Sequence, residues 1–370
     1  MAGYAELSEL PVSVQQVKNC ALSRWYHDFQ GHTPKAEIIK PLPEGFIRYL
    51  EEDGIRLPND SNFTKSSYYQ DIEENDENEY SDWEEEEQQQ EDEAAQSAGA
   101  VDVTHVTSAF LELHEKLKKT FREMGPLTPK LTWSSPKDAT WILTNNSLKC
   151  HEMNDVYLLL KASNHITHDL DRAFDVCFDR DSLVEESAET FGHELILRKW
   201  FDINPALEFR VFVKNSKVIG VSQRDLNFYD YLLPLTDTFK DLIDEFVGEQ
   251  ANIKFPDSSY VCDVYIPRPF KKVWLIDFNP FCRKTDSLMF SWNELITQSS
   301  TASDEDYELR LVTENNVARF AGKEHSENQV PQDVADAAIN PDAIKELASK
   351  WSELLKMQQA EDSSDDESNI

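Results

Sequence analysis

Two aspartates and an asparagine interrupt apolar residues in the segment YVCDVYIPRPFKKVWLIDFNPF, residues 260–281. The pattern predicts a hairpin of two strands with its turn near Phe270. Side chains alternate across a strand, so Asp277 and Asn279 point to the same face. Pairing about this turn places Asp263 almost opposite Asp277. The sequence therefore predicts three oxygen-bearing side chains on one face.

Two facing carboxylates need a positive charge, because like charges directly across a ladder are destabilising. Mg²⁺ prefers a few hard oxygen ligands and keeps the rest of its shell for water and phosphate. The alternative is an ordinary surface ion pair between one aspartate and Lys271, Lys272 or Arg283. We favour the metal because both acids interrupt otherwise apolar strands.

Two other strands carry polar residues that suit a nucleotide site. In EFRVFV, Glu208 and Arg210 share one face, where they either pair with each other or line the same site as the aspartates. In LILRKW, Arg198 and Lys199 end an apolar strand just before Trp200. Such a strand end suits backbone hydrogen bonds to an adenine edge and stacking on its face. It is equally typical of an exposed strand exit.

The segment PKLTWSSPKDATWI offers lysines and hydroxyls for phosphate. Lysine binds phosphate as a compact point charge, and hydroxyls with turn amides complete a cradle. The same pattern is typical of a helix start or an ordinary turn. The chain has only 10 glycines and no GxxxxGK, GxGxxG, HExxH or GxSxG motif, so its phosphate loop would not be glycine-rich. The candidate residues are Lys130, Ser134, Ser135, Lys137 and Asp138.

Composition indicates a globular, strongly acidic protein. At 370 residues with 40% hydrophobic content, the chain is long enough for a two-lobed body. The net charge of −34 makes nucleic acid a poor partner and a basic protein surface a plausible one. Much of it lies in residues 71–93 and in the C-terminal EDSSDDESN, which we expect to be disordered. Acidophilic-kinase sites are suggested at Ser81, Ser363 and Ser364. Each acidic run is equally consistent with a solvated segment that only aids solubility.

No apolar run approaches membrane-spanning length, and the N-terminus lacks a signal-peptide pattern. The five cysteines are scattered and form no CxxC pair, which predicts a reducing compartment, the cytoplasm.

Helical patterns come first, followed by antiparallel hairpins flanking a helix, so we expect an α+β fold. Aromatic residues in LSRWYHDFQ are either core or partner anchors, and we favour core.

Four motifs together closely resemble the cell division cycle protein 123 family: WSSPKDATWI, ELILRKW, EFRVFVKNSKVIGVSQRD and VWLIDFNPF. The similarity extends from about Lys18 to Ile296. It implies an ATP-grasp fold, in which two lobes clamp ATP and Mg²⁺ between them. It also implies an assembly factor for eukaryotic translation initiation factor two. Such proteins bind the C-terminal domain of the gamma subunit and promote its joining to the alpha and beta subunits.

The resemblance gives the candidate residues specific roles. The phosphates would be faced by Lys130 and the turn that contains Ser134, Ser135, Lys137 and Asp138. The hinge around adenine would be formed by Arg198, Lys199 and Trp200. The nucleotide cleft would be lined by Glu208 and Arg210, and Mg²⁺ would be held by Asp263, Asp277 and Asn279.

The expected organisation follows the two lobes. Residues 1–65 and 101–197 form the first lobe, interrupted by the disordered acidic insert 66–100. Residues 198–298 form the second lobe with the metal hairpin, and residues 299–370 form a mostly flexible tail with one amphipathic helix. We expect a monomer apart from its partner, with no membrane and no direct nucleic-acid contact.

The missing glycine-rich phosphate flap argues against ATP turnover more than against ATP binding. The alternative function is an ATP-grasp ligase that activates a carboxylate as an acyl phosphate. That reaction needs a cation to hold the carboxylate, and the candidates are Arg224, Arg283 and Lys284.

Overall fold

The computed structural model describes residues 10–58, 106–180, 192–301 and 307–314, with the side chains of 298–301 excluded. The predicted acidic insert, most of the predicted tail and the three suggested phosphorylation sites lie outside these ranges. The chain divides into two compact units. Both combine helices with antiparallel strands, which confirms the α+β prediction. Among the described residues, no helix has the length and apolar character needed to span a bilayer.

The helices and strands are numbered in chain order. They are α1 (Val14–Asn19), α2 (Leu22–Trp25), β1 (Ala36–Ile39), α3 (Glu44–Glu51), α4 (Leu111–Met124), β2 (Leu127–Lys130), α5 (Met153–Ala162), α6 (Asn164–Asp171), β3 (Leu195–Lys199), β4 (Glu208–Lys214), β5 (Lys217–Gln223), α7 (Thr236–Phe246), α8 (Asn252–Lys254), β6 (Tyr260–Tyr265), β7 (Trp274–Pro280), α9 (Trp292–Thr301) and β8 (Glu308–Arg310).

The three-stranded unit contains the described residues 21–30, 34–58, 106–180 and 192–202. Its sheet has the order β1-β3-β2, and β3 is antiparallel to both neighbours. Helix α4 buries Leu113 and Leu117, which lie four residues apart and therefore on one face of the helix. It ends at Gly125, whose φ of 73° suits a residue without a Cβ. Trp25 and Phe29 are buried, which confirms that the N-terminal aromatic residues belong to the core.

The five-stranded unit contains the described residues 10–20, 31–33, 203–301 and 307–314. Its sheet has the order β7-β6-β4-β5-β8, in which β8 is parallel to β5 and the other pairs are antiparallel. Strands β4 and β5 form a hairpin. Asn215 and Ser216 both have positive φ, at 49° and 60°, as a tight two-residue hairpin turn requires.

The end of α7 and the start of α9 each have a defined local geometry. The α-helical part of α7 ends at Phe246, and the chain continues through a π-helical turn, Val247–Ala251, into α8. A capping box precedes α9. The Ser291 amide donates to Glu294 Oε2 at 2.7 Å, and the Glu294 amide donates to Ser291 Oγ at 3.2 Å.

Candidate functional site

The β6–β7 ladder brings the two predicted aspartates together. Asp263 is the register partner of Asp277, and Val261 is the partner of Asn279. This confirms the opposition of the two acids that alternation predicts. Asp263 is 4% exposed, whereas Asp277 and Asn279 are half-buried. The two strands therefore place one buried carboxylate beside two more accessible oxygen-bearing side chains.

The positive charge that balances Asp263 comes from the neighbouring strand β4. Arg210 Nε donates to Asp263 Oδ1 at 2.7 Å, and its Nη2 donates to Oδ2 at 2.8 Å. The third arginine nitrogen, Nη1, donates to the Asp286 carbonyl at 2.8 Å. The arginine and aspartate side chains are only 8% and 5% exposed. Such a bidentate, charge-assisted pair fixes both groups in orientation as well as neutralising them.

A second arginine, Arg224, joins this pair from the residue that follows β5. Its Nε lies 3.3 Å from Glu208 Oε1 and 3.3 Å from Asp263 Oδ2. Its amide donates to the Glu208 carbonyl at 3.0 Å. The charge of Glu208, with smaller contributions from Asp263 and Asp277, raises the pKa of the Arg224 guanidinium above its ordinary value. Arg224 therefore remains charged and is held by carboxylates of this chain.

Two interpretations left open by the sequence are wrong. Among the described residues, no ion pair joins either hairpin aspartate to Lys271, Lys272 or Arg283; the arginines that contact Asp263 come from β4 and from the end of β5. Glu208 and Arg210 also do not pair with each other, because Glu208 pairs with Arg224. Sequence reasoning missed these ion-pair partners, because they depend on which strands are neighbours in the sheet.

The donor set fits a metal that takes few protein ligands. Within the described ranges, no group of three or more His, Cys, Asp or Glu side chains could hold a metal ion. Asp277 and Asn279 add a carboxylate and an amide oxygen beside Asp263, and Mg²⁺ commonly completes such a set with water and phosphate oxygens. Three carboxylates and two guanidiniums leave one net negative charge in the group formed by Glu208, Arg210, Arg224, Asp263 and Asp277.

The predicted phosphate turn lies in the three-stranded unit, where its side chains bind other protein groups. The buried Lys130 donates its ammonium to the Trp133 carbonyl. The Ser134 hydroxyl donates to Asp169 Oδ1 at 2.7 Å, and its amide donates to Asp169 Oδ2 at 2.7 Å. Asp138 accepts from the Ser163 hydroxyl at 2.6 Å. Ser135 is half-buried and Lys137 is exposed. Phosphate binding by this turn stays a prediction.

Asp169 is a buried acid that sequence reasoning missed. Besides Ser134, it accepts a hydrogen bond from the Trp133 amide at 2.9 Å. Burial raises the pKa of Asp169, and these hydrogen bonds oppose the rise. No local pattern marks it, because it lies on α6, far along the chain from the turn that it holds. Its three bonds give the turn a fixed shape.

The predicted adenine-binding residues are the last two residues of β3, Arg198 and Lys199, and the residue that follows it, Trp200. The Lys199 amide donates to the Lys35 carbonyl at 2.8 Å, and the Trp200 amide donates to the Pro126 carbonyl at 2.9 Å. These two amides therefore already have partners inside the three-stranded unit. Arg198 and the Trp200 ring are half-buried and Lys199 is exposed. Their role around adenine stays a prediction.

Comparison with known proteins identifies the family. The D123 family model matches residues 25–338. Cell division cycle protein 123 of Candida glabrata is 57% identical, over 98% of this chain and 99% of that protein. The translation initiation factor eIF2 assembly protein of Vanderwaltozyma polyspora is 52% identical, over 99% of this chain and 98% of that protein. The solved structure of Cdc123 from Schizosaccharomyces pombe is 34% identical, with a TM-score of 0.63 over 82% of this chain and 100% of that one. This chain therefore belongs to the D123 family, as its four sequence motifs indicate.

Proposed function

We propose that this protein is an assembly factor for eukaryotic translation initiation factor two. The observation that carries the proposal is the near full-length similarity to relatives named as eIF2 assembly proteins, at 52% and 53% identity. The finer proposal is that it acts in the cytoplasm on the C-terminal domain of the gamma subunit. The strongly acidic chain suits a basic partner surface.

We also propose that the five-stranded unit binds ATP with Mg²⁺. The support is the Asp263–Asp277 pair with two arginines beside it. Mg²⁺ would be held by Asp263, Asp277 and Asn279, and it would neutralise phosphate charge. Arg224 is 25% exposed and would donate to phosphate oxygens, while the more deeply buried Arg210 holds Asp263 in place. The ATP-grasp relationship implied by the sequence motifs supports the same assignment.

Binding without turnover is the form of this proposal that the residues favour. Of the three cations considered for a ligase carboxylate, Arg224 is the one that we assign to the phosphate oxygens of ATP. Arg283 and Lys284 are exposed beyond the end of β7. No described observation favours the ligase, so ATP is proposed as a ligand that stabilises the assembly-competent form by mass action.

Calorimetric titration of the full chain tests the nucleotide site. The variant Asp277→Ala should bind ATP in the presence of Mg²⁺ at least about tenfold more weakly than wild type, because it loses a metal ligand. MgCl₂ without ATP should give little saturable heat, because arginines already balance most of the carboxylate charge. The matched control is Asp241→Ala, an exposed acid on α7, which should bind normally. Equal affinities for all three proteins would refute the site.

Capture of the purified gamma subunit separates the two proposals. Wild type should retain it, and ATP with Mg²⁺ should strengthen retention in wild type but not in Asp277→Ala. A gamma subunit that binds neither protein would refute the partner assignment while leaving the nucleotide site intact. Equal retention with and without nucleotide would refute only the coupling between nucleotide binding and gamma-subunit binding. Phosphate release stimulated by the gamma subunit would refute binding without turnover.

A further inference from the structure

The turn between β6 and β7 carries cations that stack on aromatic rings. The Arg268 guanidinium lies 5.6 Å from the Tyr231 ring centre and 5.5 Å from that of Phe270. The Lys272 ammonium lies 4.2 Å from the Trp274 ring centre. Such contacts hold a cation in place at the surface, and both Arg268 and Lys272 are exposed to a ligand. This basic–aromatic surface comprises Tyr231, Arg268, Phe270, Lys271, Lys272 and Trp274.

The charges of this surface have no carboxylate partner among the described residues. Arg268, Lys271 and Lys272 are exposed, and no ion pair joins any of them to a described acid. The preceding loop contributes two acids: Asp225, whose Oδ1 accepts from the Tyr229 hydroxyl at 3.1 Å, and the exposed Asp230 beside Tyr231. A chain with 70 acidic and 36 basic residues thus displays three neighbouring cations outside its ion-pair network. Their ligand should carry several carboxylates, with aromatic faces beside them for its backbone or apolar atoms.

The sheet topology shows where the described chain leaves this unit. Because β6 and β7 are antiparallel and β5 is antiparallel to β4, the β6–β7 turn and the end of β5 lie at the same end of the sheet. Strand β8 runs parallel to β5, and the Val312 amide donates to the Gln223 side chain at 3.0 Å. The chain therefore reaches Glu314 at the same end as the basic–aromatic surface. Four strand spacings separate β8 from β7, about 20 Å.

The sequence beyond Glu314 supplies a complementary ligand. Residues 361–367 read EDSSDDE, with five acids and no basic residue. The intervening residues 315–360 are long enough to cover about 20 Å in any conformation, since even a helix advances about 1.5 Å per residue. A tethered ligand also has a high effective concentration, which favours weak ionic contacts.

We propose that the basic–aromatic surface binds acidic peptide, and that its occupant in the full-length protein is the chain's own C-terminal segment 361–367. The occupied surface is unavailable to acidic segments of other proteins. Phosphate on Ser363 or Ser364 strengthens the contact, because it adds negative charge opposite three cations. This inference does not depend on the proposed nucleotide site.

Carbodiimide cross-linking of the full chain tests the proposal, because it joins lysine amines to carboxylates in contact. Peptide mapping should show Lys271 or Lys272 joined to residues 361–367 at least about fivefold more often than Lys284. Lys284 is the matched control, because it is also an exposed lysine but follows the opposite end of β7. The links should fall severalfold at 0.5 M salt, where charges beyond a few ångströms are screened. Equal labelling of the three lysines would overturn the proposal.

A matched pair of variants keeps both lysines in place. Arg268→Gln removes a stacked cation and should lower the Lys271 and Lys272 links severalfold, whereas Arg283→Gln at the other end of the sheet should leave them unchanged. Mixing isotopically labelled and unlabelled protein distinguishes links within one chain from links between chains. Links made only between chains, or made mainly to residues 71–93, would each show that another occupant covers this surface and would overturn the assignment.

Discussion

Replacement of Asp263 by alanine should destabilise the ligand-free protein by about 3–5 kcal/mol, the usual cost of stranding one member of a buried ion pair. The geometry of this pair predicts a destabilisation near the upper end of that range. Both carboxylate oxygens accept arginine donors at 2.7 and 2.8 Å, and the Arg210 side chain is only 8% exposed. After the substitution, Arg210 keeps the Asp286 carbonyl but loses its counter-charge. Arg224 keeps Glu208.

The neighbouring acid should behave in the opposite way. Asp277 is half-buried and lies directly across the ladder from Asp263, so removing its charge relieves repulsion. We expect Asp277→Ala to change the free energy of unfolding by no more than about 1 kcal/mol. Two acids in register would thus differ severalfold in their contribution to stability, although both are proposed to bind the same metal.

Urea denaturation without ATP or Mg²⁺ measures this difference. The double variant Arg210→Met/Asp263→Leu should be less destabilised than Asp263→Ala, because it removes both charges and restores buried apolar volume. Circular dichroism and tryptophan fluorescence should give coincident transitions if the comparison is to be read as a free energy. If Asp263→Ala unfolds at the same urea concentration as Asp277→Ala, the buried pair contributes nothing and the reasoning fails.

Two further substitutions test packing and charge. Gly45→Ala should lower the free energy of unfolding by about 1–3 kcal/mol, because a Cβ there would lie 2.6 Å from Ala109 atoms. Gly31→Ala, with nothing within 4 Å, is its control in the same urea assay, and equal effects would contradict the steric argument. The Arg310 hydrogen bond lowers the pKa of Glu294 from 4.5 to about 2. This pair therefore contributes fully above pH 4.5, and its contribution is lost as the pH falls towards 2. Because Glu294 is 44% exposed, we expect Arg310→Gln to lower the free energy of unfolding by at most about 1 kcal/mol at pH 6 and by almost nothing near pH 2. An equal loss at both pH values would show that the effect does not come from the ionised Glu294.

The features of the site that follow from strand alternation were predictable from sequence. Asp263 opposes Asp277 because both lie on one hairpin of consecutive strands, and pairing the two strands about a turn near Phe270 brings them opposite each other. The β4–β5 turn was predictable for the same reason, since Asn215 readily adopts positive φ. In both cases the residues that decide the geometry are close together in the chain.

The charge partners were not predictable, because they depend on the order of strands in the sheet. Alternation places Arg210 on a face of β4 but does not state that β6 is the neighbour of β4. The Asp169 contact with Ser134 could not be predicted for a similar reason, because Asp169 lies on a helix far along the chain from the turn that contains Ser134. Strand β8 was missed because its three residues show no periodic pattern and it pairs in parallel with β5.

The strand order also explains how so acidic a chain could take up a polyphosphate. The overall charge of −34 opposes the approach of any anion, but Coulomb interactions between exposed groups are screened within about 10 Å. The local charges therefore determine whether a polyphosphate can bind at the site. Arg210 and Arg224 leave the carboxylate group with a single net negative charge, which a bound Mg²⁺ would more than reverse. In the proposed function, metal and nucleotide thus favour each other's binding, because each supplies the charge that the other needs. Such mutual dependence would let the protein hold its partner more tightly when ATP and Mg²⁺ are both present.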